Sequence, residues 1–314
     1  MFVHSVTLFT PVNRRLLILL ARLINSTVAS VVKNRLLSLA ENSLVKFHRK
    51  KRVLIVSAFF FAFLFGPLTH AKNQPHCPEF VASENAVIRY VHDGDTLFLQ
   101  DKRKLRLIGI DTPELNSSYH KNGTRQTQPA QPFAIPARDF VRDLIRQHGR
   151  RVQLMPGTEP ADHYGRQLFH IQLADGSLLQ ARLLQAGFAI AYSTPPNHKL
   201  SHCYHNHEQQ ARNQRSNIWS HPNYQITPVS RISPDLKGFQ RIRGRVRHIG
   251  ESKKALWINF YGHFSVRIDK HDLQYFVTPL QQLLEKEITV RGWLHHYKNK
   301  SQISIRHPSS IEAE

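Results

Sequence analysis

The sequence predicts a mainly β protein with interspersed helices, an α+β chain arranged as two successive modules. Short runs rich in Val, Ile, Leu and aromatics end at Gly, Asp or Pro, which is the pattern of strands. Between them lie stretches whose apolar residues recur at helical spacing. The third observation is a break: residues 221–236 hold three prolines among polar residues, a linker composition, and the strand pattern then begins again.

Taken in order, residues 1–45 are a leader with an amphipathic Leu/Arg pattern from Arg14 to Leu39, and no domain is assigned to them. One reading puts the natural start downstream, near Leu44 or Val45. Residues 46–71 combine the basic cluster Lys46 to Arg52, the apolar run Val53 to Leu68 and the small-residue end Thr69-His70-Ala71. That run of 16 residues falls short of the roughly 20 that span a bilayer comfortably. A cleaved signal peptide and export, periplasmic or secreted, are therefore expected. If residues 53–68 were retained they would anchor the chain, and only then is membrane contact expected.

The net charge of +21 makes polyanions the natural partners and argues against basic ligands. Beyond residue 71, 33 basic and 21 acidic residues remain, so the surplus does not belong to the leader alone. It fits attraction to a phosphate backbone.

In the first module, Val87 to Val91, Thr96 to Leu99 and Leu105 to Ile110 read as a strand meander joined at Asp93-Gly94-Asp95 and Asp101 to Lys104. Phe133 to His148 carries apolar residues at helical spacing and stops at Gly149. Arg151 to Met155 and Leu168 to Leu173 read as strands, Leu178 to Ala186 as a helix ended by Gly187, and His205 to Ile218 as a polar helix. The two cysteines, Cys77 and Cys203, make a disulfide possible after export. His198, His202, His205 and His207 lack the spacing of a zinc finger and read as a histidine-rich solvent loop.

The meander gathers chemistry at one sheet end. Asp95 opens one strand and Asp111 leaves the next, where Pro113 stops further pairing. Two carboxylates suit a hard cation with room left for water and a phosphate. Arg106 lies between them, and Arg166 follows a glycine turn in Asp162-His163-Tyr164-Gly165-Arg166. Guanidinium forks meet phosphate oxygens in a bidentate way, and Glu114 is left as a candidate base for activating water.

At these residues, DGDT, RLIGIDTPE, DHYGR, LLQAGFAIAY and finally NIWS at 217–220, the chain resembles the staphylococcal nuclease (thermonuclease) family. The resemblance runs from about Val87 to Trp219. It implies an OB-like five-stranded barrel over 80–220 that hydrolyses DNA and RNA with Ca²⁺, leaving 3′-phosphate ends. It implies Asp95, Asp111 and the Thr112 carbonyl as metal ligands, Glu114 as general base, and Arg106 and Arg166 as the phosphate clamp. Tyr164 and Tyr192 match positions that line the nucleotide pocket, although Ser193-Thr194-Pro195-Pro196 replaces a second aromatic expected there. The competing class is a non-catalytic nucleic-acid-binding scaffold built from the same folds. No obligate protein partner is expected.

Residues 237–311 hold strand candidates at Gln240 to Arg247, Ala255 to Tyr261, Phe264 to Ile268, Glu287 to His295 and Gln302 to Arg306, with a helix expected from Leu273 to Leu284. Their number and order suggest a second small OB-like barrel that binds nucleic acid. Arg241, Arg243, Arg245 and Arg247 recur with period two, a basic stripe near Trp257, Tyr261 and Phe264 that would suit a single strand.

Overall fold

The computed structural model describes residues 77–78, 81–121, 124–297 and 299–312. The leader, the basic cluster and the apolar run 53–68 lie outside them. No helix among the described residues is long and apolar enough to cross a membrane.

The first half contains β1 (Glu84–Val91), β2 (Thr96–Leu99), β3 (Lys104–Leu107), β4 (Ile110–Asp111), β5 (Ser117–Lys121), β6 (Thr124–Gln128), α1 (Ala134–Gln147), β7 (Arg151–Ala161), β8 (Gln167–Gln172), α2 (Leu179–Ala186), β9 (Ile190–Ala191) and α3 (Ser201–Asn213). Strands β1, β2 and β3 form an antiparallel meander, and β3 runs parallel to β8. Strand β7 pairs antiparallel with both β8 and β1, closing a five-stranded barrel.

Alternate residues of these strands fill the barrel: Ile88, Leu97, Leu99, Leu105, Leu107, Leu154 and Ile171 are all buried. Each such side chain stabilises the fold by about 1.5–3 kcal/mol relative to leaving it in water. Helix α1 covers the barrel with Ala137, Val141, Leu144 and Ile145, spaced at three and four. Its Pro136 sits in the first turn, where a missing N–H costs nothing. Helix α2 stops at Gly187, whose φ of 73° and close approach to the Ser216 carbonyl leave no room for a Cβ.

The second half contains β10 (Ile226–Pro228), β11 (Gly238–Glu251), β12 (Ala255–Phe260), β13 (Phe264–Asp269), β14 (Glu287–Tyr297), β15 (Lys300–Ser304) and β16 (Ile311–Glu312). Strands β11, β12 and β13 are an antiparallel meander, β13 pairs parallel with β15, and β14 closes on both β15 and β11. This is a second closed ring with the strand order of the first. Its interior is Ile242, Val246, Ile258, Phe260, Phe264, Val266, Ile268, Val290 and Ile303.

Several expectations change. The stretch 221–236 contributes β10, which pairs parallel with β11 and stitches the chain onto the second barrel. Leu273 to Leu284 is not one helix but two short 3₁₀ turns, Lys270–Tyr275 and Leu280–Leu283. The break falls at Val277-Thr278-Pro279, where a residue preceding proline is driven out of the α region. His202, His205 and His207 lie on helix α3 rather than in a solvent loop, with His207 buried, while His198 precedes the helix. The basic stripe divides: Arg241 is buried and paired with Glu312 at 2.6 Å, Arg243 is half-buried, and only Arg245 and Arg247 are exposed. Phe264 is barrel core, not a stacking surface.

A third apolar cluster joins the two barrels. Ile190, Ala211, Ile218 and Trp219 from the first half pack with Tyr224, Phe239 and Trp293. The guanidinium groups of Arg212 and Arg241 lie 5.5 and 5.8 Å from the Trp219 ring.

Candidate active site

The site is built where β1 turns into β2. The Asp93 carboxylate accepts hydrogen bonds from the backbone N–H of Asp95 at 3.0 Å and of Thr96 at 2.7 Å, which fixes the turn. Gly94 belongs there because a Cβ would lie 2.7 Å from the Thr112 side chain. That contact matters because Thr112 holds Asp95. Asp95 is 2 % exposed, and its Oδ2 accepts from the Thr112 N–H at 2.9 Å and from the Thr112 hydroxyl at 3.0 Å. Its Oδ1 accepts from the Thr96 hydroxyl at 3.1 Å.

In the β2–β3 ladder Arg106 stands opposite Thr96, so its guanidinium reaches the same corner. It is in close ion-pair contact with Asp95 and pairs with Asp111 at 2.5 Å, also donating to the Ile110 carbonyl at 3.3 Å. Burial pushes the Asp111 carboxyl up, against the pull of Arg106, and the charge of Asp93 adds to the rise. Four of the expected residues, Asp95, Arg106, Asp111 and Thr112, therefore meet in direct contact.

Glu114 lies at the mouth. Gln131 holds its backbone from both sides, accepting from the Glu114 N–H at 3.1 Å and donating its own N–H to the Glu114 carbonyl at 2.9 Å. The Glu114 carboxyl is raised by desolvation and then by the charges of Asp111 and Asp93, while Arg106 and Arg166 oppose the rise. It thus shares one electrostatic field with the carboxylates and both arginines.

Arg166 comes from the turn between β7 and β8. Its Nε donates to Asp162 at 2.6 Å, and its backbone N–H donates to the same carboxylate at 2.9 Å. Its Nη groups make no hydrogen bond among the described residues. Tyr164 is 73 % exposed beside it, with the guanidinium 5.4 Å from the ring. Tyr192 is placed differently from a free pocket wall. Its N–H donates to the Gly109 carbonyl at 2.9 Å, and its ring meets Trp293 of the second barrel edge-on at 4.7 Å. Burial, and then the Asp111 charge, raise its hydroxyl pKa, which puts it within the same field.

Cys77 and Cys203 are joined by a disulfide with a Cα separation of 5.3 Å. Residues that the sequence alone did not bring forward are Gln131, Glu208 and Arg291. Gln131 carries no distinguishing pattern. Glu208 does carry one, since the spacing Tyr204, Glu208, Ala211 puts a lone carboxylate on the buried face of α3.

Asp95 and Asp111 pair with Arg106, and Asp111 and Glu114 lie in the field of Asp93, Arg106 and Arg166, the last already shared with Asp162. Negative charge is in excess and every donor is oxygen, which fits a hard divalent cation.

A closed five-stranded barrel bearing carboxylates and arginines at one corner defines a class of phosphodiester-directed enzymes. The family model described as "Staphylococcal nuclease homologue" matches residues 104–221. The thermonuclease of Staphylococcus intermedius is 33% identical over 143 residues, covering 44% of this chain and 78% of that protein. The thermonuclease of Staphylococcus hyicus is 33% identical over 138 residues, 43% of this chain and 74% of its own. Endonuclease YhcR of Bacillus subtilis (strain 168) is 24% identical over 195 residues, 60% of this chain but 15% of that protein. The chain belongs to the staphylococcal nuclease family. It is a nuclease, a hydrolase of phosphodiester bonds in nucleic acid, and the family is metal-dependent.

Proposed function

We propose that the protein is an exported, Ca²⁺-dependent nuclease of DNA and RNA whose chemistry is carried by Asp95, Arg106, Asp111, Thr112, Glu114 and Arg166. The observation that supports this most directly is Arg106 bridging Asp95 and Asp111, with Glu114 at the mouth of the same corner. Asp95, Asp111 and the carbonyl of Thr112 would hold the ion, which when bound neutralises phosphate charge and lowers the barrier to attack by water. Glu114, raised by desolvation and then by the charges of Asp111 and Asp93, accepts the proton of the attacking water. Arg106 and the Nη groups of Arg166 take the non-bridging oxygens, where charge grows as the bond to the 5′-oxygen breaks. The products carry 3′-phosphate ends. Tyr164 offers an exposed ring to a base beside the scissile phosphate. On the second barrel the exposed pair Arg245 and Arg247, the latter 5.9 Å from the Tyr261 ring, is what remains of a basic face for a strand.

Export is supported by the disulfide, since such bonds persist in oxidising compartments. The test of activity is cleavage of labelled single-stranded DNA and RNA by purified protein with Ca²⁺ or with chelator, beside Glu114→Gln. Calcium-dependent cleavage that falls about 10²–10⁴-fold in the variant is expected. Binding without cleavage in the parent rejects the assignment.

A further inference from the structure

A buried ion pair crosses from the nuclease half to the second barrel and ends on the strand that faces Asp111. Glu208 on α3 is 1 % exposed and Arg291 on β14 is 3 % exposed. Arg291 donates to the Glu208 carboxylate at 2.7 Å and to the Ala191 carbonyl at 3.1 Å. Glu208 in turn accepts from the Ala191 N–H at 2.5 Å. Both backbone polar groups of Ala191 are therefore held by this one pair.

Ala191 belongs to β9, whose other edge is β4, with Ile110 opposite Ala191 and Asp111 opposite Ile190. A ladder of two residues on each side is too short to hold its own register. Backbone groups of successive residues point to opposite edges of a strand. Ala191 is gripped from the Glu208–Arg291 side while the next N–H, that of Tyr192, bonds the Gly109 carbonyl on the β4 side. Two residues past Arg291, on the same face of β14, Trp293 abuts the Tyr192 ring. A buried ion pair is a costly way to gain stability, since apolar residues of similar volume often serve as well. Here it does something apolar residues cannot, by saturating an N–H and a C=O at an otherwise unpaired strand edge.

We propose that Arg291 is a positioning residue of the nuclease site, acting through Ala191 to set β9 against β4 and so to place Asp111 and Tyr192. The second barrel is then part of the catalytic unit. This rests on the assignment of Asp111 and Tyr192 made under the proposed function.

The test compares Arg291→Gln and Arg291→Lys with Arg212→Gln in the full chain. Arg212 is a control because it joins the same network, 3.5 Å from Glu208 and 2.9 Å from Glu312, with no bond to Ala191. Calcium affinity is read by calorimetry, kcat and KM on single-stranded DNA, and folding by circular dichroism. Arg291→Gln should lose about 10-fold or more in calcium affinity, the scale seen when a group orienting a metal ligand is removed, with a matching fall in kcat. Arg291→Lys, which keeps the charge but not the fork, should fall between it and the parent. Arg212→Gln should shift thermal unfolding while calcium affinity stays within about two-fold of the parent. Equal calcium affinities in parent, Arg291→Gln and Arg212→Gln overturn the proposal, and if Arg291→Gln does not fold, parent affinity in Arg291→Lys overturns it. A parent that neither binds calcium nor cleaves overturns the active-site assignment itself, and the positioning role with it.

Discussion

The two barrels share a strand order and the sense of every pairing, yet the same corner carries opposite charges. In the first, β2 opens on Asp95-Thr96 and Thr96 faces Arg106 across the ladder. In the second, β12 opens on Ala255 after Lys253-Lys254, and Ala255 faces Asp269. Both turns are closed the same way, by a side-chain oxygen accepting a backbone N–H: Asp93 from Thr96 at 2.7 Å, Ser252 from Ala255 at 3.1 Å. Thus the fold supplies the corner, and a few side chains decide whether it can take a cation and a phosphate. In the second barrel a lysine stands where the buried aspartate would be, and Asp269 is occupied by Arg267 at 2.8 Å.

The largest effect that would sharpen this contrast is expected at Arg106. On the proposed assignment Arg106→Ala removes a guanidinium from the phosphate, but it leaves Asp95 its three hydrogen bonds from Thr112 and Thr96. Cleavage should fall about 10³–10⁵-fold, the range for a charge-stabilising arginine in phosphoryl transfer, while calcium binding by calorimetry persists. Parallel loss of binding and cleavage would mean that Arg106 organises the carboxylates rather than the phosphate.

Much of this corner was legible because it is local. Asp95, Arg106, Asp111, Thr112 and Glu114 lie within twenty residues, joined by one hairpin whose turn and strand signals are strong. Arg166 needed a separate motif, and its bond to Asp162 reflects the spacing of that turn. The seam between the barrels was not legible in the same way. A period-two count puts Arg241, Arg243 and Arg245 on one face of β11, but it does not foresee the register shift between Val246 and His248, at Arg247, and says nothing of the long strand leaving the seam for solvent partway along. Arg241 is consequently under Trp219 and Glu312, while Arg247 is in water. The prolines of 221–236 read as a tether for the same reason, since parallel pairing of β10 with β11 is a contact that local composition does not encode.

A smaller effect separates buried histidines from the seam by acid. His170 on β8 is 4 % exposed, and burial, then the Lys199 charge, hold it at about 4. The unfolded chain protonates this ring near pH 6.5 and the fold resists until about 4, so stability falls as pH drops between those values, by on the order of 3 kcal/mol. His307, held at about 4 by burial and by His198 and His205, acts in the same window. Glu312 at the seam is the opposite case. Burial would raise it, but Arg241, Arg291 and Arg212 bring it to about 2, so its contribution is complete above about 4.5 and lost as pH falls through about 2. Urea unfolding across this range should show His170→Gln flattening the upper slope and Glu312→Gln the lower one. Slopes unchanged by either variant would show that neither group is linked to folding.

The smallest effect is expected where the comparison says chemistry is absent. Lys254→Ala and Asp269→Asn alter the second barrel's version of the corner, at positions matching Asp95 and Arg106 by ladder register. Lys254 is exposed, and Asp269 is half-buried and, among the described residues, ion-paired with its own strand's Arg267. Neither touches the Glu208–Arg291 pair that links this barrel to the site. Turnover and calcium affinity should stay within about two-fold of the parent, and stability within the roughly 1 kcal/mol typical of exposed pairs. A tenfold loss of cleavage in either variant would break the contrast, because the second corner would then be taking part in the reaction or in holding its substrate.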